Sequence, residues 1–133
     1  MDLWQIAHVI ARLLFSALFL KSAYSPLTKV TMMGGYAKSV GHVPAPELAT
    51  IVTGLMLLGG GFSILVGFHP RIGAGLLVLF LVPTAFIMHG YWKIKDPMQR
   101  AGDEAHFWKD ISLAGAALFI VADPHWPWPL TLG

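Results

Sequence analysis

Residues 70–92 read PRIGAGLLVLFLVPTAFIMHGYW. From Ile72 to Met88 only Gly73, Gly75, Pro83 and Thr84 interrupt the strongly apolar character. About 20 largely apolar residues, as one helix, cross the roughly 30 Å hydrocarbon layer of a bilayer. Arg71 marks one end of the stretch, and His89, Tyr91, Trp92 and Lys93 mark the other. Amphipathic rings and cations belong at the water interface. A soluble fold would need a large core around such a segment. A bilayer needs only more helices like it.

The chain supplies them. Apolar spans are read at residues 4–24, 46–68, 71–92 and 106–122, within one transmembrane domain over residues 1–133. Charged residues make up only 12% of the chain, against about 25% in a soluble domain. The net charge of +2 is too small to suggest nucleic acid, and none is expected as a partner; the absence of cysteine excludes disulfides, thiolate catalysis and Cys-ligated iron–sulfur clusters. The start lacks a basic n-region and a small-residue cleavage site, so the first span is expected to act as its own insertion signal.

Between the first two spans, Leu27, Val30, Met33, Ala37 and Val40 recur at helical spacing. They predict a short amphipathic helix over residues 27–40 on the membrane surface, weakened at Gly34 and Gly35. The fold expected is all-α: an integral membrane bundle of four antiparallel helices with that interfacial helix between the first two. Gly59, Gly60 and Gly61 are expected to give a neighbouring helix close approach, as is the Ser63–Gly67 pair. The very short His69-Pro70-Arg71 turn makes spans two and three a hairpin. Pro83 cannot donate to the Leu79 carbonyl, which predicts a kink. Residues 93–105 read as a polar loop, and Asp103, Glu104 and Asp110 read as a solvated loop and a helix start. The fourth span offers Ser112, Gly115 and Ala116 as a small-residue face, and Trp126 and Trp128 beyond it read as an interfacial anchor.

Four spans put both termini on one side. That side's loops carry only Arg71, whereas the other carries Lys21, Lys29, Lys38, Lys93, Lys95, Arg100 and Lys109. The positive-inside rule then places both termini outside the cytoplasm, in a multi-pass protein of the plasma or inner membrane.

Arg12 is the sharpest single residue. It lies about 12 Å along the first span from Trp4, where a charge costs roughly 2.5 to 3.5 kcal/mol or more and wants a partner. His8, Arg12 and Ser16 follow at i, i+4 and i+8, so they share one face. Asp123 and the freed carbonyl of Leu79 are the expected structural partners. The functional alternative is a polar ligand, such as a quinone carbonyl or a sulfur oxyanion. At the opposite end, His89, His106 and His42 converge near Trp92 and Trp108. Converging histidines could hold a metal, a haem or a quinone headgroup. No spacing matches a zinc or haem motif, so the first reading is an aromatic belt with hydrogen-bonding histidines.

A family resemblance is carried by four pieces of sequence. They are Arg12-Leu13-Leu14-Phe15 to Phe19-Leu20-Lys21-Ser22, then Gly41-His42-Val43-Pro44-Ala45-Pro46, then Gly67-Phe68-His69-Pro70-Arg71-Ile72-Gly73-Ala74, and His89-Gly90-Tyr91-Trp92 with Phe107-Trp108-Lys109-Asp110. Their order and spacing resemble the DoxX family of small four-helix membrane proteins. Many members carry a glutamate just before the glycine pair of the second helix, where this chain has Met56 and Leu57.

The resemblance implies a subunit linked to quinone or sulfur redox chemistry, similar to subunits of a thiosulfate–quinone oxidoreductase. It would bind a small polar or quinone-like ligand in the bundle, with Arg12, Ser16, Thr84, His89, Trp92 and His106 as candidate ligand-binding residues and no catalytic residue assigned. The partners implied are the bilayer and a soluble redox enzyme, with a homo-oligomer left open. Two alternatives stand beside this: a non-catalytic scaffold that recruits a soluble redox enzyme, and a small-molecule carrier.

Overall fold

A computed structural model describes residues 1–132; Gly133, the last residue of the expected domain, lies outside them. The described chain is all helix and turn. It comprises α1 (Leu3–Thr28), α2 (Val30–Gly41), α3 (Pro46–Val66), α4 (Pro70–Met88), a 3-10 turn (Tyr91–Lys93) and α5 (Pro97–Ala122). Four of the helices, all but α2, are long and apolar enough to cross a membrane.

Local chemistry sets the helix starts. Asp2 and Gln5 form a reciprocal capping box on α1. Pro46 and Pro70 open α3 and α4, where a missing N–H costs nothing. Asp96 caps α5 by accepting from the Gln99 N–H at 2.9 Å, and Pro97 is its first residue. α5 therefore begins well before residue 106, and the expected polar loop shrinks to Ile94–Asp96. Hydropathy marks where a helix enters lipid; the Asp-Pro pair marks where the helix starts. α4 continues as helix through Pro83.

The spans stand in the order α1, α3, α4, α5, each packed on the next. α1 and α5 do not close the circle: no Cα of one comes within 8 Å of the other. Phe19 and Ala23 of α1, Leu57 and Ile64 of α3, Leu77 and Leu81 of α4, and Ala114 and Ala117 of α5 form the core. The buried small residues of α5 are thus Ala114 and Ala117 rather than the expected Ser112 and Gly115; Ser112 is exposed, and a Cβ on Gly115 would meet nothing within 4 Å. Leu14, Leu48, Ile72, Leu79 and Phe119 are exposed. Large apolar side chains displayed on every span are what a lipid-facing surface requires.

The α3–α4 contact is closest at glycine. A Cβ on Gly60 would lie 2.9 Å from the Gly73 carbonyl oxygen, and one on Gly61 would lie 3.2 Å from Phe19 of α1. Gly59 faces open space. Gly34 has a similar use: it is buried against Glu47 at the start of α3, and so seats α2 on the bundle.

Candidate functional site

Arg12 is buried on the inward face of α1, as its spacing with His8 and Ser16 requires. Its partners are not the expected ones. Nη1 donates to the Pro129 carbonyl at 2.8 Å and Nη2 to the Leu130 carbonyl at 3.0 Å. Both carbonyls belong to the segment after α5, which doubles back over the end of the bundle. The same segment places Trp128, buried, with its ring 5.9 Å from the guanidinium carbon and 4.6 Å from the His8 ring. Asp123 accepts from the Trp128 indole N–H at 2.8 Å and from the His125 backbone N–H at 2.9 Å. Arg71 donates to the Asp123 carbonyl, and the Leu132 N–H donates to the Val66 carbonyl at 2.9 Å. Only Gly67, in the left-handed conformation at φ 69°, lets Thr131 pass so close to the α3–α4 turn.

This makes the tail a clasp. Trp126 is half-exposed, as an interfacial anchor would be, but Trp128 is part of the core. A cavity of about 490 Å³ lies beside the clasp, lined by His8, Arg12, Phe15, Phe119, Asp123 and Trp128 among others. His8 Nδ1 and Arg12 Nε of its lining, and Ser16 Oγ outside it, are buried without hydrogen-bond partners among the described residues.

Burial by itself would raise the Asp123 carboxyl. The hydrogen bonds from His125 and Trp128, with the His125 charge, outweigh that and hold it below its ordinary 3.8. A depressed carboxyl stabilises the fold above its unfolded value, and the contribution is lost as pH falls through the folded one. The melting temperature in detergent is therefore expected to lose the Asp123 contribution only below about pH 4. Asp123→Asn should remove that step.

The second candidate region lies at the other end of α4. His89 follows the helix, with Nδ1 3.4 Å from Asp103 Oδ1 and Nε2 3.8 Å from Asp110 Oδ2. The early start of α5 makes this possible. Seven residues are about two helical turns, so Asp103 and Asp110 share a face. Asp110, expected near a helix start, is buried at 7% exposure well inside α5. The His106 ring lies 5.1 Å from the His89 ring, and Lys109 Nζ lies 3.4 Å from His106 Nδ1. His42 is exposed at the left-handed end of α2 and makes no ring contact with either among the described residues. Trp92 packs on Phe86 and Phe107 in an aromatic belt.

Below His89 opens a cavity of about 400 Å³ between α1, α3, α4 and α5, roofed by α2. Thr84, His89 and Asp110 line it, together with Met56 and Leu57, the positions at which the resemblance leads one to expect an acid. Its carboxylate comes from α5 instead. Of the candidates, Thr84 and His89 line this cavity, Trp92 and His106 do not, and Arg12 and Ser16 lie elsewhere on α1.

The residues are met elsewhere among known proteins. The family model described as DoxX matches residues 7–90. The inner membrane protein YphA of Escherichia coli (strain K12) is 34% identical over 90 residues, which cover 64% of this chain. The chain spans 59% of that relative's length. No solved structure matches.

Proposed function

Because this chain belongs to the DoxX family, a multi-pass membrane protein by its four apolar helices, we propose that it is a redox-linked subunit holding a quinone-like ligand. The ligand's polar head would sit in the cavity beneath His89. One observation carries this: an apolar cavity of about 400 Å³ that ends at Thr84, His89 and a buried carboxylate. Ligand pockets are mostly apolar, with a few convergent polar groups that fix orientation. Ionisable residues within a span default to function. Arg12 supports the ligand less well, because both terminal nitrogens already serve the tail. In this reading both termini lie outside the cytoplasm of an inner membrane, α2 lies on the cytoplasmic surface, and the cavity opens towards that face.

Decylubiquinone titrated into the detergent-solubilised protein is expected to bind saturably. Thr84→Phe, which places a ring in the cavity, should weaken that binding at least about tenfold, or about 1.4 kcal/mol. Leu14→Ala, on the lipid-facing surface, should bind as the parent does. Equal binding by the Thr84 variant would refute the assignment. The polar start of α5, with Gln99, Arg100 and Glu104 exposed, favours a second reading, a platform for a soluble redox enzyme. Stoichiometric capture of such an enzyme with no quinone bound would select it.

A further inference from the structure

The cavity beneath His89 is joined to water by ionisable groups. Asp103 stands at the outer end, on the polar part of α5 and partly exposed. His89 comes next, with one imidazole nitrogen facing each carboxylate at 3.4 and 3.8 Å. Asp110 stands at the inner end, buried and lining the cavity. The other ionisable groups facing this line are His106 and Lys109, both on α5 and exposed, and Lys109 also lines the cavity.

The geometry points to a proton relay from water through Asp103, His89 and Asp110 to whatever occupies the cavity. A structural role explains this arrangement poorly. A buried carboxylate whose nearest cation is a titratable imidazole 3.8 Å away is an expensive tie, and a packed apolar pair would hold α4 to α5 as well. An imidazole suits transfer instead, because it can gain a proton on one nitrogen while losing one from the other, near neutral pH.

The step balances. A group in the cavity takes the proton from the Asp110 carboxyl. The Asp110 carboxylate then takes the proton on His89 Nε2, breaking one N–H bond and forming one O–H bond. His89 Nδ1 takes a proton from the Asp103 carboxyl, which water replaces. Rotation of the ring then lets Nε2 take a proton from water and Nδ1 release its own to water, one N–H formed and one broken, which resets the tautomer. One proton moves inward and no electron moves. The 3.8 Å gap lies beyond direct hydrogen-bond range; a side-chain rotation or a bridging water closes it.

The relay rests on the proposed function only for what receives the proton, so its test uses no ligand. Full-length protein in detergent is taken through a rapid pH jump, and the infrared carboxyl band removed by Asp110→Asn is followed in time. The parent should titrate at Asp110 promptly. His89→Ala should slow that change at least tenfold, and added imidazole should restore it. Asp103→Asn, at the surface, should slow it without lowering the melting temperature. His89→Gln, which keeps the volume, guards against misfolding of the alanine variant and should also be slow. An unchanged rate in these variants overturns the relay. So does slowing that imidazole does not restore and that follows a lowered melting temperature, which marks a packing role. An Asp110 band that never titrates overturns it as well. Absence of decylubiquinone binding would sink the quinone reading alone, leaving the infrared result readable.

Discussion

Replacing Arg12 with methionine is expected to release the C-terminal clasp while leaving the helices in place. Two opposing terms decide this. Two charge-assisted hydrogen bonds, to Pro129 and Leu130, are lost, at about 1.5 to 3 kcal/mol each. A buried cation is removed, which returns roughly 2.5 to 3.5 kcal/mol on the insertion scale for a mid-span charge. The guanidinium is not mid-span, however. Its Nη1 lies 3.4 Å from where a Cβ of Gly67 would stand, level with the α3–α4 turn. The side chain has climbed from a deep backbone to the membrane surface, as long cations do, so the refund is smaller than the scale suggests. The loss wins, by about 2 kcal/mol, or roughly thirtyfold in tail docking. Both carbonyls can then reach water, so the segment detaches rather than the bundle unfolding. Proteolysis of the tail should quicken by that factor. Arg12→Lys should fall between, because an ammonium lacks the planar fork that serves two carbonyls at once. A tail cut no faster in Arg12→Met than in the parent would show that Trp128 and Asp123 hold it unaided.

The same residue shows what a sequence reveals and what it hides. The i, i+4, i+8 face of His8, Arg12 and Ser16 was legible, because helical phase follows from residue count alone. The partner was not. Backbone carbonyls look alike at every position, and nothing in PHWPWPL says that its Pro129 and Leu130 carbonyls will meet a guanidinium. Asp123, an acid at the end of the fourth span, is the partner the sequence suggests; it is committed to Trp128 and His125 instead.

The four spans were legible for a simple reason: crossing lipid demands length and apolarity in one uninterrupted run. The error at α5 has an equally simple cause. Residues 97–105 are polar, and polarity between apolar spans reads as loop. A helix that projects into water is polar too, and Asp96-Pro97 was its start signal. That error concealed the second site. With α5 begun at residue 106, Asp103 has no helical phase and Asp110 sits at an exposed end. With α5 begun at Pro97, the two acids stack on one face, and Phe107, Asp110, Ala114 and Ala117 become a single buried stripe. Thr84 and His89 could be named from the third span, but their meeting with Asp110 depended on that register.

Gly73→Ala should be among the most damaging single-methyl additions available in this chain. A Cβ there would lie 2.6 Å from Ser63 Cβ, closer still to Ser63 Oγ, and 3.1 Å from the Gly60 carbonyl oxygen. Ser63 cannot swing aside freely, because its hydroxyl donates to the Phe68 carbonyl at 2.6 Å and reaches the His69 carbonyl at 3.1 Å, holding the turn that joins α3 to α4. The Gly60 carbonyl is backbone and cannot move without its helix. The two helices must therefore part, and overpacking of this kind costs about 1 to 3 kcal/mol. Gly60→Ala meets the reciprocal obstacle, the Gly73 carbonyl oxygen at 2.9 Å, with only the flexible Leu77 side chain able to yield. Gly59→Ala and Gly75→Ala are the controls. Each lies one or two residues away on the same helices, and each Cβ would meet nothing within 4 Å. They should be neutral, or stabilising by roughly 0.5 to 1 kcal/mol, because alanine restricts the unfolded chain. Thermal melting of the four variants in one detergent separates these effects. If Gly73→Ala and Gly75→Ala melt together, glycine serves α4 only as an apolar filler, and the close approach of the hairpin contributes nothing to its stability.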